Sequence, residues 1–312
     1  MSELWPELPY AAWKDTCATL QLWTQVVGKT RLSLTPWLNH SWHVTLHVTA
    51  RGLGTPLITA AERDFQVEFD FLDHVLWIRT ADGHLRQLML RPMPVAEFYA
   101  EFLHTLGELG IRPHLDKIPN EIPDAIPFDE DTAHRAYDKE YARRFWRVLL
   151  RVQEVLSHFR TAFLGKASPV HFFWGSFDLA VTRFSGRRAP LHPGGIPHLS
   201  DDVVREAYSH EVSSAGFWPG GGGIDYAAFY SYAYPPPEGF ACAPVKPEAA
   251  FFSRELGEFV LPYDAVRTAH DPKQTLIEFL QSTYEAAAGY GRWNRADLEC
   301  DLGEPAVPRA LD

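Results

Sequence analysis

The chain is poor in the features that mark many protein classes. Only three of its 312 residues are cysteine, and Cys17, Cys242 and Cys300 are widely spaced, with no Cys-x-x-Cys pair. That excludes a disulfide-built scaffold, offers neither a zinc nor a thiol-exchange motif, and makes a reducing, cytoplasmic compartment the expectation. No apolar run approaches the ~18 residues that a bilayer-crossing helix needs. Residues Met1 to Glu7 lack the basic-then-apolar order of an export signal. Positive charge is also short, with 29 Lys and Arg against 40 Asp and Glu and a net charge of −11. Such a surface repels a phosphate backbone, so nucleic acid is not an expected partner, and neither is a membrane. What the chain has in quantity is core material: 46% of its residues are hydrophobic and 13% aromatic. That composition excludes a disordered tail, and the length suits one large domain or two ordinary ones.

Periodicity divides the chain into two halves of similar order. Trp13, Cys17, Leu20, Trp23 and Val27 recur at steps of three and four, which predicts a helix from about Pro9 to Val27, one apolar stripe facing inward and Gly28 as its end. Residues 42–49 alternate Trp42, Val44, Leu46, Val48 against His43, Thr45, His47, Thr49, as a half-buried strand would. Phe65 to Phe71 alternates likewise, and runs 75–80 and 85–90 flank the hairpin signal Asp82-Gly83. Pro94 opens a second helix through Phe98, Phe102 and Leu106. Residues 1–118 thus read as a helix, antiparallel strands and a helix. Segment 119–130, with three prolines among acidic residues, reads as the connection.

In 131–300, Asp131 is placed to cap a helical stripe from Tyr137 to Phe163, about 50 Å if unbroken. Strands follow at about 170–184, 206–214, 229–234 and 251–260, and Asp271-Pro272 starts a final helix. Residues 301–312 read as a tail. The pattern is α+β, a largely antiparallel sheet with packed helices, and the repeated order allows two similar strand-plus-helix halves within one compact domain.

Long strings in the chain are specific: His171 to Phe184 (HFFWGSFDLAVTRF), Ser209 to Gly220 (SHEVSSAGFWPG) and Phe229 to Pro235 (FYSYAYP), with Trp37 to His43 and Pro119 to Pro123. On these the sequence resembles a family of uncharacterised bacterial proteins, a domain of unknown function, over nearly its whole length. The resemblance implies bacterial origin and carries no catalytic role onto any residue.

Familiar motifs fail on inspection. Gly28-Lys29-Thr30 imitates the end of a phosphate-binding loop, but Trp23 stands at the earlier glycine position and the tripeptide follows a helix. His210-Glu211 begins like a zinc-protease helix, yet Ser214 occupies the second histidine position. His43 and His47 would lie about 13 Å apart on a strand, too far to share one ion. Gly220 to Gly223 has no strand before a helix and reads as a loop. No nucleotide- or metal-binding motif identifies a cofactor.

One constellation is left. Asp178 shares an alternation with Trp174, Ser176 and Thr182, and a carboxylate among such neighbours needs a donor, for instance Arg183. His210 and Glu211 follow on the next predicted strand, pointing opposite ways, and Tyr230, Tyr232 and Tyr234 share one side of a third. Asp178, His210 and Glu211 are therefore candidate acid–base residues, with Trp174, Ser176, Arg183, Trp218 and the three tyrosines as ligand contacts. A metal held by His171, Asp178, His210 and Glu211 is a weaker alternative, because their strand faces conflict. Three functions fit these residues: an enzyme acting on a small molecule, a noncatalytic small-ligand binder, and an assembly subunit burying aromatic strands against a partner. Oligomeric state is open.

Overall fold

A computed structural model of the protein describes residues 4–60 and 63–309; Met1 to Glu3 and the tail's last three residues lie outside the described part. The element order follows the alternations where one face of a sheet meets water. Strands β1 (His47–Val48), β2 (Gly52–Gly54), β3 (Phe65–Asp70), β4 (Val75–Thr80) and β5 (Leu85–Met89) form an antiparallel meander in that order. Asp82-Gly83 turns the β4–β5 hairpin, with Gly83 at φ 90°, a conformation that favours glycine. A second antiparallel sheet holds β6 (His171–Phe173), β7 (Asp178–Arg188), β8 (His210–Trp218), β9 (Ala228–Tyr234), β10 (Phe251–Ser253) and β11 (Glu258–Pro262), in the order β10-β11-β9-β8-β7-β6. Leu46 and Phe172 exchange backbone bonds of 2.9 and 2.8 Å, joining the two sheets at β1 and β6. The chain is therefore α+β with two antiparallel sheets.

Seven helices accompany the sheets among the described residues: α1 (Tyr10–Leu34), α2 (Val95–Glu108), α3 (Lys139–Thr161), α4 (Asp201–Ala207), α5 (Tyr263–Arg267), α6 (Pro272–Tyr290) and α7 (Arg295–Leu298). One continuous apolar core runs from Trp5 to Trp293 and draws on both sheets. Trp23 of α1 stacks on Phe98 of α2 at 4.8 Å, and Phe145 of α3 on Phe177 beside β7 at 5.3 Å.

Several boundaries differ from the periodicity reading, each for a physical reason. Helix α1 continues to Leu34, because Gly28 does not end it. A Cβ there would lie 2.2 Å from the Trp174 indole, so the glycine is a notch that admits the ring. The helix is also buried on more than one stripe, including Gln25, Lys29, Thr30 and Arg31. The strand expected over 42–49 is paired only at 46–48, since His40 and Ser41 take positive φ and the chain then turns through Trp42 to Val44. Helix α3 is capped by Asp138, which accepts from the N–H groups of Glu140 and Tyr141, whereas Asp131 accepts from Ala133 and His134 in a separate turn. The run 170–184 is two strands with a turn at 174–177. Residues 201–207 are helical, and 251–260 holds a hairpin. Asp271 caps α6 as expected.

Candidate functional site

The second sheet is covered on both sides, and its two faces bury different chemistry. Registers place Thr182, Ser214 and Tyr232 side by side across β7, β8 and β9, with Ala180, Gly216 and Tyr230 in the next row. Alternate residues share a face, so Asp178, Thr182, Ser214, Trp218, Tyr230, Tyr232 and Glu258 converge on one side of the sheet. The other side, with Leu179, Val181, Phe217, Phe229 and Phe259, joins the apolar core.

Over the polar face lies a cavity of about 500 Å³. Its walls come from residues 37–44, from Asp116, from Asn120 and Glu121 of the proline-rich connection, and from the turn 173–176. Residues 196–207 form its roof. Polar groups on α1 hold these loops in place. Gln21 donates to the Gly175 carbonyl at 2.7 Å, Gln25 exchanges two hydrogen bonds with the Asn120 backbone at 3.0 and 2.8 Å, and Lys29 donates to the Ile118 carbonyl. The Trp174 indole N–H donates to the Val44 carbonyl at 2.9 Å. The roof is tied to the wall where the Glu121 N–H meets the Pro197 carbonyl at 2.8 Å and Asn120 Nδ2 meets that of His198 at 2.9 Å. The buried polar residues of α1 thus act as a frame for the site.

Besides the exposed Asp116, three carboxyl groups enter this cavity from distant parts of the chain. Asp178 is buried and accepts hydrogen bonds from Ser176 and Tyr230 hydroxyls, with no cationic partner. Burial pushes its carboxyl up to about 6, against the stabilising hydroxyls. Burial and then the charge of Asp178 push Glu121 to about 7 and Glu258 to about 8. The order is self-consistent: Asp178 ionises first and so makes the second and third charges harder to place.

Two glycines make the space for this arrangement. A Cβ on Gly175 would fall 2.0 Å from Glu121 Oε1, and one on Gly216 would fall 2.5 Å from both the Leu179 carbonyl and the Tyr230 hydroxyl. Backbone strain gathers here too. His40, Ser41, Glu121 and His198, all lining residues, have φ of 59°, 57°, 64° and 52°, and Phe177 beside Asp178 has 58°. Such conformations cost about 1 kcal/mol or more each and persist where the surroundings dictate them, commonly at functional sites.

His40 has a defined tautomer. Its Nδ1 lies 2.8 Å from the Ala207 carbonyl, which can only accept, so Nδ1 carries the proton and Nε2 accepts from Lys166 at 2.5 Å. Burial, with the Lys166 charge adding to it, holds this histidine below its ordinary range.

Of the residues singled out in the sequence, Trp174, Ser176, Asp178, Trp218, Tyr230 and Tyr232 border the cavity. His210 and Glu211 are not among its lining residues. Glu211 turns to the opposite side of β8 and accepts from Ser185 at 2.7 Å and from Arg187, while the His210 ring stands 6.2 Å from that of His40. Arg183 is also on the core side, its guanidinium 3.6 Å from the Phe159 ring centre and 4.4 Å from that of Tyr284. Tyr234 continues the polar face beyond the cavity and donates to the Pro190 carbonyl at 3.1 Å. His171 is buried beside Thr45, and burial pushes it down to about 3, so it stays neutral. Among the described residues no three His, Cys, Asp or Glu side chains approach closely enough to share a metal ion.

Glu121, Glu258, His40, Ser41 and Tyr208 complete the site without having been picked as candidates. Glu121 and His40 do fall in strings that carry the family resemblance. Tyr208 meets Tyr232 hydroxyl to hydroxyl at 2.8 Å.

Fold and site together define an α+β protein in which a doubly covered antiparallel sheet presents buried carboxyl groups to an aromatic cavity. The chain belongs to DUF5996, a family of unknown function, which matches residues 5–300. Neither the curated proteins nor the solved structures contain a match to it. Among the described residues no helix is long and apolar enough to cross a membrane.

Proposed function

We propose that the cavity is a small-molecule site in which buried carboxyl groups transfer protons to and from the bound molecule. One observation carries the reading: Asp178, Glu121 and Glu258, from three separate segments, enter one aromatic cavity with their ionisation spread across neutral pH. Groups whose environments separate their pKa values in this way supply both a base and an acid at one pH. At pH 7 the Asp178 carboxylate, oriented by Ser176 and Tyr230, is the base; Glu258, still protonated, is an acid, and Glu121 is balanced between the two roles. Trp174, Trp218 and Tyr230 supply apolar walls, and a volume of about 500 Å³ is in the range of metabolite sites. His210 and Glu211 have no part in this scheme.

A noncatalytic binding role is the second reading, favoured by the hydroxyl donor already on each Asp178 oxygen. Incubating wild type and Asp178→Asn with a small-metabolite extract, followed by mass spectrometry, separates the two. A metabolite consumed by wild type alone supports catalysis. One retained by wild type but never converted supports the binding role, and neither retention nor turnover contradicts both.

A further inference from the structure

The cavity's charge inventory is one-sided. Asp116, Glu121, Asp178 and Glu258 line it, and no Lys or Arg is among its described lining residues. The nearby lysines are already engaged: Lys29 with Asp116 and the Ile118 carbonyl, Lys166 with His40 Nε2. The hydrogen-bond inventory is one-sided in the same sense. Glu258 Oε2 and Asn120 Oδ1 are buried acceptors with no partner in the protein, and the Asn120 amide cannot be flipped to cover this because its Nδ2 is needed by the His198 carbonyl. Ser41, a lining residue only 9% exposed, also has an unpartnered Oγ, a hydroxyl that can accept or donate. Buried acceptors of this kind cost on the order of 1–3 kcal/mol until a donor meets them.

Aromatic faces complete the pattern. Trp42 and Phe184 already hold the Lys166 ammonium at 5.3 and 4.8 Å from their ring centres, and Trp174, Trp218 and Tyr230 offer further faces. Aromatic walls with carboxylates suit an organic cation. The carboxyl groups surround the cavity and do not converge on a point, which disfavours a metal ion.

Resting on the reading of the cavity as a small-molecule site, we infer that its ligand is a small organic amine, bound as a primary or secondary ammonium with an apolar body. The ammonium N–H groups meet Glu258, Asn120 and the Asp178–Glu121 pair, and the body lies against Trp174, Trp218 and Tyr230. A cation among these acids favours their ionised forms, so binding near neutral pH releases protons. The other titratable groups on the cavity are Asp116, His40, His198, Tyr208, Tyr230 and Tyr232; Lys166 is not a lining residue but meets three that are, His40, Trp42 and Phe184.

The test is calorimetric titration of the full chain with a matched panel in which linear alkyl, phenyl and indolyl bodies each occur as amine, alcohol and carboxylate. Amines binding more than about tenfold tighter than their alcohols, with proton release seen as a buffer-dependent heat, is the expected result. Glu121→Gln and Glu258→Gln, which avoid the hydrogen-bonded Asp178, should each reduce that preference and the proton release. Alcohols or carboxylates binding as well as amines overturns the amine inference while leaving the small-molecule site in place. Binding by no member overturns both.

Discussion

Each sheet contains a buried aspartate, and the two have opposite fates. Asp70, at the end of β3, is fully buried, and burial opposes its charge. The Arg51 guanidinium and the N–H groups of Leu72 and Asp73 outweigh that cost and hold the carboxyl below its ordinary value. Asp178, at the start of β7, is just as deep but is met only by two hydroxyls, and its carboxyl is pushed up to about 6. The first is a structural anion; the second is held in a state that folding alone does not favour. Other charged groups of the first sheet lie nearer the surface in ion pairs such as Arg79 with Glu68, whereas Asp178 and Glu258 of the second are gathered under a roof. Acids buried without cations cost stability, and it is on this cost that the proposed role of the cavity rests.

Substitution of the two aspartates breaks the comparison most sharply. Asp70→Asn should destabilise by about 2–3 kcal/mol, through loss of charge-assisted bonds. Asp178→Asn at pH 8 should instead stabilise by up to about 3 kcal/mol, because it removes a penalty of about two pH units at 1.36 kcal/mol each. Denaturant unfolding at pH 8 measures both, and equal destabilisation would erase the distinction.

Gly216→Ala should cost about 1–3 kcal/mol, since its Cβ meets the rigid Leu179 carbonyl, and should also detach Tyr230 from Asp178. Thermal unfolding, together with the tyrosine ultraviolet spectrum, reads the two effects.

The pH profile sharpens the contrast further. For Asp178, Glu121 and Glu258 the folded pKa lies above the unfolded value, so their stabilising contribution is complete below their ordinary values of 3.8 and 4.5 and is lost as pH rises to about 6, 7 and 8 respectively. His40, His43 and His171 are depressed, chiefly by burial, and contribute stability above 6.5 that is lost as pH falls. Above pH 6.5 the histidine contribution is complete and that of Asp178 is already spent, so stability should decline toward pH 8 by up to about 1.36 kcal/mol per pH unit from Glu258, joined by Glu121 only up to about pH 7. Glu121→Gln and Glu258→Gln should flatten that decline, while Asp70→Asn should leave it in place.

Gly175→Ala is the mildest perturbation. Its Cβ collides only with the movable end of Glu121, so the expected stability loss is under about 1 kcal/mol, with a clear loss of amine binding in calorimetry.

The first sheet was the more legible in sequence because one of its faces is exposed. Phe65, Val67 and Phe69 point inward while Gln66 and Glu68 are less buried, and the alternation shows the strand directly. β7 and β8 are buried on both faces through most of their length, so their polar residues blur the period, and the strand expected from 206 takes in the last two residues of helix α4, which lies between them. Asp178, Tyr230 and Tyr232 could be found because an alternation links them to aromatics on regular strands. Glu121 could not, since it lies in a proline-rich segment with no period, and its place is dictated by Gln25 and Pro197 far along the chain. Glu258 was hidden by a hairpin read as one strand, and His210 and Glu211 drew notice from adjacency alone, which in a strand sends side chains to opposite faces.

Titration of the cavity acids near neutrality is measured most directly by carbon-detected NMR of side-chain carboxyls, assigned with Asp178→Asn and Glu121→Gln. The prediction is midpoints of about 6 for Asp178 and about 7 for Glu121, with Asp70 titrating below its ordinary value. Midpoints for both cavity acids at ordinary carboxyl values, near 3.8 and 4.5, would contradict it.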